Sequence, residues 1–199
     1  MNGVIAALII ALCVIFAFFW APFVGLVFQG NLDFAQPLRM SDNSVNIEYV
    51  TGYADDLGAI SDTIVSNPSP DPQKMGAVSF RMSLNSYRTL STGVTSVDLD
   101  QATITFTSQS GSEILMQQSS RPIKKPGWTI AKKTGILSFE NNNQDNLLEP
   151  YESFEILVLP STPLPPMSRF LILIKMPDDN QIFISRVVPE TITPIMNLD

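Results

Sequence analysis

The 199-residue chain contains no histidine and a single cysteine, Cys13. The missing imidazole excludes Ser-His-Asp and Cys-His nucleophilic catalysis, histidine zinc sites and histidine pH switching. One cysteine can neither close a disulfide within the chain nor build a thiolate metal cluster. Set among apolar neighbours, Cys13 reads as a small packing residue. The ten glycines stand singly, so there is no phosphate-cradling loop and no dinucleotide fingerprint. Charge is scarce as well, at 16% of residues, and none precedes Asp33. The net charge of -7 disfavours nucleic acid, whose phosphates attract lysine and arginine, and suits a solvated exterior. Carboxylate chemistry is the enzyme class left over, and no catalytic pair stands out.

Against these absences stands one long apolar run. Gly3 to Phe28 holds no polar side chain beyond the thiol of Cys13. As a helix it would be about 39 Å long at about 1.5 Å per residue, enough for a bilayer core, which takes about 20 such residues. Val4, Ile5, Leu8, Ile9, Leu12, Ile15, Phe16 and Phe19 point in all helical directions. A helix apolar on every side must be surrounded by lipid or by other apolar helices. Pro22 removes a backbone donor and clashes one turn back, which predicts a kink or break near residues 18–22. The rings of Phe16, Phe18, Phe19, Trp20, Phe23 and Phe28 fit packing between helices better than a membrane-boundary belt, because they continue through the run.

The composition changes abruptly after residue 28. Gly30, Asn31, Asp33, Gln36, Pro37 and Asp42 mark a linker. Beyond it the periodicity is that of strands. Val78, Phe80, Met82 and Leu84 alternate with Ser79, Arg81 and Ser83, and Thr103 to Thr107 repeats the pattern. Val45 to Val50, Trp128 to Ile130 and Ile182 to Ser185 are shorter instances. Phe154 to Leu159 and Phe170 to Ile174 are nearly continuous apolar runs, as expected of central strands. No helical stripe longer than two turns follows residue 44. The expected organisation is a hydrophobic helix over 1–30, a linker over 31–44, and a mainly β domain over 45–199. Spaced short strands between turn signals predict an antiparallel β-sandwich of immunoglobulin-like type for that domain.

Two polar clusters invite a functional reading. Asn141, Asn143, Asp145, Glu149 and Glu152 occupy positions 1, 3, 5, 9 and 12 of a calcium-loop spacing, and calcium takes such oxygen ligands. Asn146 stands where that loop wants glycine, although asparagine tolerates the left-handed turn. The alternative is a polar turn ahead of a buried strand. No other cofactor is indicated. Arg121, Lys124, Lys125, Lys132 and Lys133 gather around Trp128, as a contact for an acidic neighbouring surface or as a solvated hairpin. Asp55, Asp56 and Asp62 are too sparse to indicate a metal. The only Asn-x-Ser/Thr match, Asn67-Pro68-Ser69, is disqualified as a glycan acceptor by its proline.

Leu147-Leu148-Glu149-Pro150-Tyr151-Glu152, the strand Phe170 to Met176 and the turn Pro177-Asp178-Asp179 resemble the archaellins, the archaeal flagellins. Gly93 to Thr107, with Val97-Asp98-Leu99 and Thr103-Ile104-Thr105-Phe106, is similar to them too, as is the order of apolar helix, tether and β-domain. Tyr151 occupies a position where the family usually has glycine. Archaellins carry a short basic leader before the apolar helix. Met1-Asn2 is no such leader, which leaves a chain starting near its mature end or a divergent member. The resemblance implies a non-enzymatic, extracellular motility filament. Its apolar helices, inserted in the membrane before assembly, would pack together through Val4, Ile5, Leu8, Ile9, Leu12, Ile15, Phe16, Phe19, Trp20 and Phe23. The partners it implies are identical or related subunits. A pilin-like adhesion filament and a membrane-anchored cell-surface binding module are the alternatives.

Overall fold

The computed structural model describes residues 45–60, 63–84, 96–135, 145–177 and 180–199. All of them fall within the unit Met40–Asp199. The expected helix, its proline break, the linker and the ten packing positions from Val4 to Phe23 lie outside the described residues.

The described residues form mainly antiparallel β-sheets. Strands β1 (Val45–Ala54), β2 (Ala59–Ile60), β3 (Thr63–Ser66) and β4 (Met75–Leu84) come first. Next are β5 (Val97–Asp98), a 3-10 turn (Leu99–Gln101), β6 (Thr103–Ser108), β7 (Gly111–Leu115), β8 (Ile123–Lys124) and β9 (Gly127–Thr134). The series ends with β10 (Leu147–Leu148), β11 (Ser153–Leu159), β12 (Arg169–Lys175), β13 (Gln181–Val187) and β14 (Ile195–Asn197). Every stretch expected to be a strand is one. The short strands, together with β7 and β14, lacked an alternating pattern long enough to be noticed.

Five strands form one sheet in the order β14-β1-β4-β11-β9, and four form another in the order β13-β12-β6-β7. All neighbours in both are antiparallel. Alternation aims Val78, Phe80, Phe154 and Ile156 of the first sheet, and Ile104, Phe106, Phe170 and Ile172 of the second, into one shared core. Each such side chain, fully buried, contributes about 1.5–3 kcal/mol. Phe106 and Phe170 stack at 5.6 Å between centroids. Trp128 is buried in this core, so the basic residues around it flank an interior side chain.

The five-stranded sheet also buries part of its outer side. Leu157 and Leu159 of β11 face away from the main core, into a second cluster with Tyr53, Ile60, Val65, Ala77 and Ile123. The lid over that cluster is the small sheet β2-β3-β8, in which β3 and β8 run parallel.

Candidate functional site

Two kinds of surface stand out, one sealed by the chain itself and one left open. The sealed one centres on Asp55, just after β1. Its side chain is fully buried and its Oδ1 receives the ammonium of Lys125. Its Oδ2 accepts from the backbone N–H of Asp71 at 3.1 Å, and its carbonyl accepts from Asn67 Nδ2. Its own N–H donates to the Lys74 carbonyl at 2.9 Å. A Cβ at Gly76 would collide with the side chain and Cα of Asp55, so the neighbouring strand must present a glycine there. The carboxylate thereby ties β1, the 67–74 loop and the segment after β8 together at the edge of the lid. Nearby, the Asp71 carboxyl is held below its ordinary 3.8 by the hydrogen bond from Lys74 and by the Gln73 N–H.

This hub was not legible beforehand. Asp55 looked like part of a sparse acidic loop and Lys125 like part of a basic cluster, and 70 residues separate them. The five basic residues do not act as one patch. Lys125 turns inward to Asp55, Lys133 lies over the Phe154 ring at 5.1 Å, and Lys124 and Lys132 are exposed. Lys132 stands opposite Glu155, Glu155 opposite Arg81, and Arg81 opposite Glu48. The uncovered part of the five-stranded sheet's outer face therefore carries a row of alternating charge across four strands, which favours pairing within the sheet.

Of the calcium-loop residues, Asn141 and Asn143 lie outside the described residues. Asp145 Oδ1 accepts from the Leu147 N–H at 3.3 Å. Glu152 is buried and its Oε2 accepts from the Glu149 N–H at 3.2 Å. Among the described residues no group of three or more histidine, cysteine or acidic side chains stands close enough to hold a metal. Glu149 to Glu152 is a tight turn closed by a 3.1 Å bond from the Glu152 N–H to the Glu149 carbonyl. Tyr151 has φ +72° in it, the left-handed region that favours glycine.

The open surface is the outer face of the four-stranded sheet. Leu171 and Leu173 of β12 point away from the core, flanked by Arg169 and Lys175 on the same side of the strand. The registers align Phe183 of β13, Leu173 of β12, Thr105 of β6 and Ile114 of β7 as one row. Phe183 is 42% exposed and Ile114 70%. Met116 beyond β7 and Val187 of β13 extend the apolar surface. No described strand covers this row.

No protein-family model matches the chain, and no curated protein matches it. Solved structures do. The archaeal flagellin FlaB1 from Methanocaldococcus jannaschii superposes with a TM-score of 0.55 at 11% identity, covering 77% of this chain and 95% of that one. The archaeal flagellum of Methanospirillum hungatei strain JF1 gives 0.47 at 12% identity over 99% of this chain and 96% of that one. The archaellum periplasmic stator protein complex FlaF and FlaG from Sulfolobus acidocaldarius gives 0.42 at 15% identity over 75% and 93%. The last two superpose only loosely. The first, at its low identity, speaks to architecture alone: the β-sheets of this chain are arranged in a fold similar to that of an archaeal flagellin.

Proposed function

We propose that the chain is a structural subunit of an extracellular archaeal filament, an archaellin-like protein that polymerises through its apolar N-terminal segment and serves swimming motility. The observation that carries this reading is a pairing: a flagellin-like β fold covering nearly all of a solved archaeal flagellin, and 26 successive residues from Gly3 to Phe28 that are apolar on every side. In this reading residues 1–30 form the helix of the filament core, 31–44 the tether, and 45–199 an immunoglobulin-like sandwich in the outer wall.

The physics of the N-terminus supports it. An all-round apolar helix can leave the bilayer only for an equally dry environment, and a bundle of identical helices supplies one through close side-chain packing. Heterologous contacts that do not close generate an open helical polymer. Rotation belongs to a separate membrane motor in this scheme. Calcium at Asn141, Asn143, Asp145, Glu149 and Glu152 is a subsidiary proposal; titration calorimetry without binding at millimolar calcium would remove it.

Electron microscopy of the purified chain tests the main reading. Long regular fibres are expected, and detergent-dependent monomers would sink it. Leu12→Asp should abolish fibres while leaving the β-domain folded. Loss of swimming in a deletion strain is expected; loss of surface adhesion with swimming intact would assign the filament to adhesion instead.

A further inference from the structure

Where β3 and β8 end, the surface is cut by an open groove of about 440 Å³, within the range of about 300–1,000 Å³ usual for small-molecule sites. Three segments wall it: the end of β3 with the loop that follows, the end of β8, and the loop after β11. We propose that this groove binds an acidic saccharide, a short run of sugar rings bearing carboxylates. The proposal stands apart from the filament reading and gives the β-domain a binding role of its own.

The walls are fixed through their backbone. Gln118 Oε1 accepts from the Lys124 N–H at 2.9 Å, and its Nε2 donates to the Lys124 carbonyl at 2.7 Å. A Cβ at Gly127 would collide with that amide, so a glycine stands there. Asn67 Nδ2 donates to the Asp55 carbonyl, and Asn67 Oδ1 accepts from the Ser69 N–H at 3.3 Å. The Ser161 N–H donates to Glu113 Oε1 at 2.9 Å. The parallel register of β3 and β8 sets Ser66 beside Lys124. Ser66, Ser69, Lys124 and Ser161 all line the groove, and their side chains have no partner among the described residues. A fixed frame with unengaged polar side chains suits binding, because little order is lost when a ligand arrives.

The lining identifies the ligand by what it lacks and what it holds. It has no aromatic ring, and its apolar surface is limited to Pro68, Pro163 and the lysine stems. A nucleobase would find nothing to stack on, and a lipid chain little to bury against. A serine hydroxyl both donates and accepts, which matches the hydroxyls of a sugar, and the proline rings face its C–H groups. Lys124 supplies an ammonium for a carboxylate. Lys125 lines the groove as well, but its ammonium is engaged by Asp55. In a chain of net charge -7, an unengaged cation at a groove favours an acidic ligand over a neutral one. One exposed ammonium holds a small anion only weakly against water and salt, so the ring hydroxyls must contribute too.

Titration calorimetry of the full chain, as fibres or in non-ionic detergent, tests the proposal with three probes: trigalacturonate, neutral maltotriose and acetate. Trigalacturonate should bind saturably at millimolar concentration and about tenfold more tightly than maltotriose, and acetate should not saturate. Lys124→Glu should weaken trigalacturonate about tenfold at low salt and by less at high salt. Its melting temperature should not change, because the Lys124 side chain is exposed. Ser69→Val combined with Ser161→Val should weaken trigalacturonate about fivefold at either salt concentration. No saturation by trigalacturonate, equal affinity for maltotriose, or saturation by acetate would each overturn the proposal. So would a Lys124→Glu chain or a doubly substituted serine chain that binds as tightly as the native one. Fibre formation is read separately by microscopy, and a chain without fibres leaves the detergent titration in force.

Discussion

Strands β11 and β12 hold nearly matching apolar runs, Phe154 to Leu159 and Phe170 to Ile174, and both lie inside their sheets. Their core sides meet each other's sheets in one interior. Their outer sides differ. Leu157 and Leu159 are roofed by β2, β3 and β8, whereas Leu171 and Leu173 lie on the open face beside exposed Phe183 and Ile114. An apolar run thus states that a strand needs cover on two sides, and says nothing about which molecule supplies the second.

The sharpest way to break this contrast is to unpin the roof. Asp55→Ala should cost about 3–5 kcal/mol, because it leaves the Lys125 ammonium buried beside no counter-charge. Denaturant melts followed by Trp128 fluorescence in a Trp20→Phe background would measure it, and a loss under about 1 kcal/mol would mean that the roof is held by apolar packing alone. Next in size comes a matched pair. Leu157→Ala should cost about 2–5 kcal/mol, as for other buried leucines, and Leu173→Ala in dissociated subunits under about 1 kcal/mol. Equal losses would show that the outer side of β12 is already covered within one subunit.

A change of the opposite sign is expected at the turn leading into β11. Tyr151→Gly should stabilise the domain by about 1 kcal/mol, since it removes a left-handed strain from a side chain that is 77% exposed. A destabilised variant would indicate that the tyrosine ring packs against something that repays its backbone. Smaller again, Glu155→Gln in the charged row should cost under about 1 kcal/mol and less at high salt, because these are surface pairs. An effect insensitive to salt would argue against charge pairing there.

The smallest expected effect is the pH response of the 67–74 loop. The Asp71 carboxyl has a folded pKa below its unfolded value. Its contribution is fully present above the ordinary 3.8 and is lost as pH falls through the lower folded value. Carboxyl NMR titration should show the depressed midpoint, and Lys74→Met should return it toward 3.8; an unmoved midpoint would assign the shift to the Gln73 N–H.

Much of the fold was legible because strand alternation is local. Val78 to Leu84 and Thr103 to Thr107 announce two sides within a few residues, and the structure keeps the apolar side of each; the polar side of β4 is open at Arg81, whereas Ser79 is buried beside the Tyr53 hydroxyl. The buried pair of Asp55 and Lys125 was illegible for the opposite reason. Nothing near either residue marks it as inward, since their meeting depends on chain segments 70 residues apart. The basic cluster misled in the same way: proximity in sequence put Lys124, Lys125, Lys132 and Lys133 together, and strand geometry sent them to different surroundings.

By itself the sequence determined that the chain joins an all-round apolar segment to a polar β-rich body, that imidazole chemistry and an intrachain disulfide are closed to it, and which residues of the longer strands lie on opposite sides. These follow from composition and from the two-residue period of strand geometry, which bulges interrupt only locally in β1 and β9. Only the tertiary structure decided the order of strands in each sheet, the burial of Asp55 against Lys125, and which apolar outer face is roofed by its own chain. Those depend on pairings between distant segments, where register and covering layer are set by the packing of the whole domain rather than by any residue's neighbours.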